Sequence, residues 1–342
     1  MDETKVLIYF ENHNALKKSG IGRAMYHQTK ALELAGVSYT LNKKDNYNIA
    51  HINTYSYKSQ RLLRKCKKRG IPVVVHGHST IEDFRDSFRC WKFMSLFFYK
   101  WLRYMYKNAD FIIAPTKYTE ELIDGYGYKK PINNISNGIS LEDYKEEKEK
   151  QRKFREYFAL KEDEKVVIGV GFLFKRKGLI DFFEIARHFP DVKFIWFGDL
   201  QRILTTRKIL KAIKKKPENV IMAGYMSDDI IIGAYQSASL LLFPSYEETE
   251  GIVVLEAQAS RLPVLARDIG VFNGWLKDGE NAFLAKDNEE FIKKTAYILE
   301  NSTTNITENG YNTVAKRSLD KIGEKLNQTY KKVRGNYYGN KT

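Results

Sequence analysis

The stretch PSYEETEGIVVLEAQASRLPVLARD, residues 244–268, decides the fold class. It starts at the end of an apolar run and passes through an acidic turn and a glycine into a helical pattern. It ends in a second apolar run, PVLA at 263–266. A strand, a helix and a second strand in this order form a βαβ unit, whose two strands run parallel. The segment therefore predicts a parallel sheet covered by helices.

Short runs rich in β-branched residues recur at helix-length intervals along the whole chain. They are VLIYF (6–10), IAHIN (49–53), PVVVH (72–76), DFIIAP (110–115), VVIGVGF (166–172), VKFIWFG (192–198) and SLLLFPS (239–245). This alternation predicts an α/β protein. The charged run at 142–153 interrupts it. We therefore predict a Rossmann-like doubly wound domain over 1–145, a second over 146–325 and a tail over 326–342, with the two domains facing an interdomain cleft.

The charge composition limits the classes of molecule that this protein is expected to bind. The 342 residues are 43% hydrophobic, enough for a large core, and 57 Lys and Arg against 42 Asp and Glu leave a formal charge of +15. Such an excess favours an anionic partner, which is a nucleic acid, an acidic membrane or a phosphorylated ligand. We find no zinc-ligand spacing, RNA-binding aromatic signature or helix-turn-helix pattern, so we do not expect nucleic acid.

The cysteine content and the N-terminal residues indicate the cellular compartment. Cys66 and Cys90 lie in a chain too long to need a disulfide framework, which favours a reducing interior. No signal peptide or lipidation pattern precedes the first apolar run. The most hydrophobic stretch, FMSLFFY at 93–99, is seven residues, too short to span a bilayer. We expect a protein that is not secreted.

Three glycine-rich or basic strand ends are candidate ligand sites. Gly20 and Gly22 open a helix after the first strand, and backbone N–H groups at a helix start bind anions. His78 follows the strand PVVVH, at the edge where doubly wound sheets place their ligands. Arg176 and Lys177 precede another helix start, where cations suit a diphosphate. Each pattern alone also occurs as ordinary turn, core or surface structure.

The acidic turn of the opening stretch is the most informative site. Glu248 and Glu256 stand eight residues apart, and Gly251 exposes backbone N–H groups between them. Carboxylates bind the hydroxyl groups of sugars and ribose through strong hydrogen bonds. Acids near a helix start also offset the helix dipole, so the chemistry requires the other motifs as well.

Taken together, these motifs resemble the retaining GT-B glycosyltransferases of family four. Glu248 and Glu256 match the two glutamates of the family's E-x7-E motif. The other matching motifs, in family order, are SGIGRA in the first glycine loop, HGHS after a strand, SNGIS (136–140), RKG (176–178), FGD (197–199) and GY (224–225). The segments at 244–257 and 267–283 further resemble bacterial enzymes that glycosylate diacylglycerol or glucosyl-diacylglycerol, as in the synthesis of lipoteichoic acid anchors. The family's usual arginine after Gly171 is Phe172 here.

The resemblance implies a role for each matching residue. Glu256 would bind the ribose, Glu248 would hold the donor sugar, and His78 would contact that sugar near its reacting carbon. Lys177 and Arg176 would stabilise the departing diphosphate. The donor site would also include Gly20, Gly22, Gly171, Gly198, Tyr225, Gly251, Ile252 and Val253.

Residues 85–107 predict an amphipathic helix suited to a membrane surface. Residues 55–107 carry 13 Lys and Arg against 3 Asp and Glu, so most of the excess charge lies there. On a helical wheel the basic residues form one stripe beside aromatic ones. The predicted membrane-binding residues are Arg85, Arg89, Lys92, Phe97, Lys100, Trp101 and Arg103. The alternative is a core helix with a solvated basic stripe.

The predicted function is transfer of glucose or galactose, with retention, from UDP-glucose or UDP-galactose to a membrane glycolipid. The favoured acceptor is monoglucosyl-diacylglycerol. The alternatives are diacylglycerol itself and a polysaccharide precursor. We expect no cofactor and no metal, because cations can offset the diphosphate charge. We expect a peripheral location on the cytoplasmic face of the cell membrane.

Overall fold

A computed structural model describes residues 4–11, 20–85, 89, 91–199 and 205–339, with residues 338 and 339 as backbone only. The chain divides into two compact units. The first comprises Met1–Phe84, Lys92–Gly138 and Arg317–Thr342, and the second comprises Arg85–Trp91 and Ile139–Lys316. Each unit contains one six-stranded sheet.

The sheet of the first unit is parallel throughout, in the order β2-β1-β3-β4-β5-β6. Its strands are β1 (Lys5–Tyr9), β2 (Ser38–Thr40), β3 (Ile49–Ile52), β4 (Val73–His76), β5 (Phe111–Ala114) and β6 (Ile132–Asn134). The helices of this part of the chain are α1 (Gly20–Leu34), α2 (Tyr57–Lys68), α3 (Ile81–Phe84), α4 (Trp91–Asn108), α5 (Lys117–Gly125) and α13 (Leu319–Gly339). Two apolar clusters of buried residues cover the two faces of this sheet.

The second unit has the strand order β9-β8-β7-β10-β11-β12, again all parallel. Its strands are β7 (Val166–Val170), β8 (Lys193–Phe197), β9 (Val220–Gly224), β10 (Leu240–Phe243), β11 (Val264–Arg267) and β12 (Phe283–Ala285). Its helices are α6 (Lys148–Tyr157), α7 (Leu179–Arg187), α8 (Arg207–Lys214), α9 (Asp228–Ser237), α10 (Ile252–Ala259), α11 (Asn288–Glu300) and α12 (Thr304–Ala315). This is the classical dinucleotide-binding order, and its direction reverses between β7 and β10. The predicted pair of doubly wound α/β domains is confirmed.

The domain limits differ from those that the sequence suggested. The boundary nearest the predicted one falls between Gly138 and Ile139, before the charged run. The C-terminal helix α13, divided in the prediction between the second domain and a tail, belongs to the first unit. Its residues Leu319, Ile322, Leu326 and Tyr330 are buried in the same apolar cluster as β1. Because Gly323 lacks a side chain, α13 approaches α1 so closely that a Cβ would lie 2.1 Å from the Ala31 carbonyl oxygen.

The helix predicted over 85–107 begins later, at Trp91. Arg85 and Arg89 lie in turns before it and are not part of its basic stripe. Before these turns, the chain packs back on α4, because the Phe84 ring stacks on the Phe98 ring at 4.0 Å. A continuous helix would separate these two residues by about 21 Å along its axis. None of the described helices combines the length and the hydrophobicity that a membrane-spanning segment requires.

Candidate active site

Two loops of the second unit meet where its strand order reverses. The first follows β7 and contains a 3₁₀ turn at Lys175–Lys177, and the second follows β10 and leads to α10. β7 and β10 are neighbours in a parallel sheet, so both loops lie at its carboxyl edge. Doubly wound domains bind their ligands at this point.

A largely buried ion pair joins the two loops. Lys177 Nζ lies 2.5 Å from Glu248 Oε1, and Arg176 Nη1 lies 3.9 Å from Glu248 Oε2. The three side chains are 14%, 11% and 8% exposed, for Lys177, Arg176 and Glu248. Burial alone would raise the pKa of Glu248, but the charges of Lys177 and Arg176 outweigh it and lower that pKa. The sequence-predicted Lys177, Arg176 and Glu248 therefore form one charged cluster.

Backbone hydrogen bonds hold the Glu248 loop in place. The Tyr246 N–H donates to the Arg176 carbonyl at 2.7 Å, and Arg176 Nη1 donates to the Glu247 carbonyl at 2.8 Å. From β11, the buried Arg267 donates to the Pro244 carbonyl at 3.2 Å, and its guanidinium lies 4.1 Å from the Tyr246 ring centroid. Arg267 was not predicted from the sequence. A buried cation at a strand's carboxyl end was the available signal.

The ion pair leads to a prediction about stability and pH. Glu248→Gln should lower the free energy of unfolding at neutral pH by about 3 kcal/mol, because it removes the carboxylate that offsets the largely buried Lys177 charge. A carboxyl whose folded pKa is lowered stabilises the fold above its unfolded pKa, and this stabilisation is lost as pH falls through the folded pKa. The difference between the wild type and Glu248→Gln should therefore shrink below about pH 4. Urea unfolding across this pH range measures it.

Glu280→Gln is the matched control. Glu280 pairs with Lys277 at 3.1 Å, but both side chains are 64% exposed. Removing an exposed pair should cost less than about 1 kcal/mol. Equal costs for the two variants would contradict a stabilising role for the buried pair.

Two glycines of the predicted donor site are required by the backbone. Gly198 has φ +115°, and a Cβ there would lie 2.3 Å from the Gly171 carbonyl oxygen. Gly251 has φ +84° and caps the N-terminus of α10. Ile252 and Val253 follow it in the first turn of α10, at intermediate exposure, and Tyr225 lies after β9 with half of its surface exposed. These residues thus lie on loops or a helix start at the carboxyl edge of the second sheet.

Glu256 lies inside α10 and is buried. Its Oε2 accepts a hydrogen bond of 2.7 Å from the hydroxyl of Tyr235 in α9. Tyr235 was not predicted from the sequence, because its position in α9 carries no motif. This bond fixes the direction in which the carboxylate points.

His78 of the first unit lies two residues after β4 and is buried. Its ring stacks on that of His76 at 3.9 Å, and its Nε2 lies 2.9 Å from Asn53 Oδ1. His78 is therefore packed and hydrogen-bonded in the interior of the first unit as well as placed at a strand end. Asn53 directly follows β3 and was also missed, although a polar residue at a strand's carboxyl end is a usable signal.

The backbone requires glycine less strictly at Gly20 and Gly22 of the first loop. Gly20 starts α1, and a Cβ there would meet nothing within 4 Å. Gly22 lies in the first turn of the same helix. Of the predicted motif around them, Ser19 and the preceding loop lie outside the described residues.

Helix α4 exposes a face on which basic and aromatic side chains alternate. Lys92, Lys100 and Arg103 are exposed, and beside them Phe93, Phe97 and Trp101 are 66%, 49% and 37% exposed. The opposite side of α4 is buried, and Leu102, Met105 and Tyr106 pack in the core. The alternative predicted a core helix in which the basic stripe alone meets solvent. The structure contradicts it, because aromatic side chains of α4 are exposed as well. We call these six exposed residues the α4 outer face.

Comparison with known proteins identifies the family. The model of glycosyl transferases group 1 matches residues 150–313, and that of glycosyltransferase family 4 matches residues 19–143. A processive diacylglycerol alpha-glucosyltransferase of Acholeplasma laidlawii is 48% identical over 96% of this chain and 98% of its own length. The chain belongs to this glycosyltransferase family.

Solved structures confirm the fold of this glycosyltransferase. A sucrose-phosphate synthase from Thermosynechococcus elongatus superposes with a TM-score of 0.79 at 16% identity, over 97% of this chain and 100% of that one. The Anabaena protein Alr3699/HepE in complex with UDP-glucose gives 0.76 at 17% identity, over 96% of this chain and 100% of that one. The GT-B fold expected from the sequence resemblance is thus confirmed.

Proposed function

We propose that this glycosyltransferase transfers glucose from UDP-glucose to diacylglycerol at a membrane surface, and then to the glucosylated product. The observation that carries the proposal is the 48% identity, over nearly the full length of both chains, to a processive diacylglycerol alpha-glucosyltransferase. Monoglucosyl-diacylglycerol, the acceptor favoured by the sequence, is then one acceptor in a series. Galactose becomes the alternative donor sugar.

The charged cluster of the second unit supports a nucleotide-sugar donor. Lys177 and Arg176 would stabilise the negative charge on the departing diphosphate, since preformed cations are worth most in a water-poor site. Glu248 would bind the hydroxyl groups of the sugar. His78 of the first unit would contact the same sugar near its reacting carbon. No metal is needed in this proposal.

The proposed reaction retains the configuration of the reacting carbon. The acceptor hydroxyl would attack from the face that the diphosphate leaves, and the leaving phosphate would help to take its proton. Neither Glu248 nor Glu256 then serves as a nucleophile, because both are assigned to binding. Lys177 would contribute most as the leaving-group charge grows in the transition state.

Glu256 gives a prediction for nucleotide binding. Glu256→Gln should weaken UDP binding about 10- to 100-fold, because a charged hydrogen bond to the ribose is replaced by a neutral one. Tyr235→Phe, which removes only the bond that orients Glu256, should weaken it less. Calorimetric titration with UDP measures both variants. Wild-type affinity in Glu256→Gln would remove Glu256 from the donor site.

The α4 outer face supports a membrane-bound acceptor. Anionic lipid attracts Lys and Arg, and exposed aromatic rings enter the headgroup layer. The basic residues Arg61, Arg64, Lys65 and Lys68 on the exposed side of α2 extend this surface. Arg64 lies 5.6 Å from the Tyr104 ring centroid of α4, so the two helices present adjacent positive charge. We propose a peripheral position on the cytoplasmic side of the membrane.

Product analysis tests the donor and the acceptor together. The purified enzyme is incubated with UDP-glucose or UDP-galactose and with vesicles containing diacylglycerol, vesicles containing monoglucosyl-diacylglycerol, or a soluble polysaccharide precursor. Mass spectrometry should detect hexose on both lipids with UDP-glucose. Transfer to the soluble precursor alone would overturn the lipid acceptor, and products from UDP-galactose alone would overturn glucose.

A further inference from the structure

Three histidines of the first unit lie side by side in its interior. His51 is in β3, His76 ends β4, and His78 follows it, and all three are buried. The rings of His76 and His78 stack at 3.9 Å with an interplanar angle of 5°, and those of His51 and His76 lie 5.3 Å apart at 10°. Stacked rings do not converge on one point, and the described residues contain no group of three suited to a metal ion.

These histidines are neutral, so the position of their single ring proton matters. Burial lowers the pKa of both His51 and His78 to about 3, and it places the pKa of His76 well below its ordinary value. In a neutral imidazole one nitrogen donates a hydrogen bond and the other accepts, and the partners decide which nitrogen carries the proton.

Asn53 determines which ring nitrogen of His78 carries the proton. The amide oxygen Oδ1 of Asn53 lies 2.9 Å from His78 Nε2 and can only accept a hydrogen bond. Nε2 must therefore carry the proton, and Nδ1 is the acceptor nitrogen. The Asn53 side chain is fully buried and lies directly after β3, beside the point where the strand order of the first sheet reverses.

A separate set of bonds holds the other end of the histidine row. His51 Nδ1 lies 2.7 Å from the Tyr330 hydroxyl of α13 and 2.9 Å from Gln28 Nε2 of α1. His51 Nε2 lies 3.2 Å from His76 Nδ1. These bonds reach His76, and the stacked rings of His76 and His78 connect His78 to the row. The Asn53 bond and the Tyr330 bond are thus comparable buried hydrogen bonds with different targets.

We propose that Asn53 is a positioning residue for glycosyl transfer, which holds His78 in the Nε2-protonated form and in one ring orientation. The proposal rests on the proposed contact of His78 with the donor sugar. A ring free to exchange tautomers or to rotate would present the wrong nitrogen for part of the time. Loss of Asn53 would then lower kcat without removing any group that touches the nucleotide.

The test uses four variants of the full-length enzyme in the vesicle assay. Asn53→Leu removes the acceptor at similar volume and should lower kcat about tenfold or more, while KM for UDP-glucose changes less than about threefold. Asn53→Asp restores an acceptor oxygen and should recover most of that loss. Tyr330→Phe, the matched control, removes a buried bond of the same row and should keep wild-type kcat. His78→Ala tests the role on which the proposal rests.

Nitrogen-15 NMR of labelled histidine provides a readout that packing alone does not change. His78 is assigned from the signals lost in His78→Ala, and its ring should be Nε2-protonated in the wild type and Tyr330→Phe. In Asn53→Leu the Nδ1-protonated form should appear. Thermal unfolding and UDP titration establish that each variant folds.

The outcomes distinguish the positioning role of Asn53 from the proposed role of His78. Wild-type kcat in Asn53→Leu, with activity lost in His78→Ala, overturns the positioning role and leaves the proposed function intact. Wild-type activity in His78→Ala overturns the role of His78 itself. An unchanged tautomer in Asn53→Leu, or equal losses in Asn53→Leu and Tyr330→Phe, would also overturn the positioning role.

Discussion

Lys177→Met should lower kcat for lipid glucosylation about 100- to 1000-fold, the usual cost of removing one preformed group that stabilises transition-state charge. Lys177 lies 2.5 Å from Glu248 and its side chain is 14% exposed, so solvent screens it little. Binding of the enzyme to vesicles should not change, because Lys177 belongs to the second unit and the α4 outer face belongs to the first. Steady-state kinetics with saturating UDP-glucose measures the effect.

Lys175→Met is the control, since Lys175 occupies the same 3₁₀ turn but its side chain is exposed. It should retain kcat within about threefold. Arg176→Met extends the comparison, because the Arg176 guanidinium lies farther from the Glu248 carboxylate, at 3.9 Å. Wild-type turnover in Lys177→Met together with a large loss in Arg176→Met would assign the leaving-group role to Arg176 instead.

Reversal of Lys92, Lys100 and Arg103 to Glu should weaken binding to anionic vesicles about 100-fold or more. Each cation near such a surface contributes about 1 kcal/mol, and the introduced acids add repulsion. Wild-type binding should fall as salt rises without vanishing, because the exposed Phe97 and Trp101 add a contribution that salt does not screen. Vesicle co-sedimentation across a salt series measures both contributions.

A triple variant of the second unit controls for net charge. Lys148, Lys161 and Lys293 are exposed there, and their reversal to Glu changes the net charge by the same amount. It should leave vesicle binding near the wild-type level. Equal losses in the two triple variants would mean that net charge, and not the α4 outer face, determines binding. UDP binding should persist in both.

The strands show which parts of the fold were predictable. All eight predicted strands are present, and they are the interior strands of the two sheets. The four missed strands, β2, β6, β9 and β12, are the four sheet edges. An edge strand is covered less completely, so it needs no continuous apolar run: β6, for instance, has no buried residue, whereas every residue of β4 is buried. The sequence signal follows burial, and at the edges burial is weak.

The sequence predicted the charged site residues that lie in loops after strands. Lys177, Arg176 and Glu248 stand at strand ends that adjacent strands bring together, so position along the chain sufficed. Asn53 and Tyr235 act through tertiary contacts with residues 25 and 21 positions away. Tyr330 reaches His51 across 279 positions. The contacts of Tyr235 and Tyr330 depend on packing of α9 and α13 that no local pattern specifies, whereas Asn53 stands at a strand's carboxyl end, which is a usable signal.

The most direct test of the proposed reaction is the structure of its lipid product. The wild-type enzyme is given UDP-glucose and vesicles of diacylglycerol with anionic lipid, and the glycolipid is isolated for proton NMR of its anomeric proton. We expect an α-glucosyl-diacylglycerol, formed with retention from the α-linked donor. A β-linked product would contradict retention, and release of free glucose without any glycolipid would contradict the lipid acceptor.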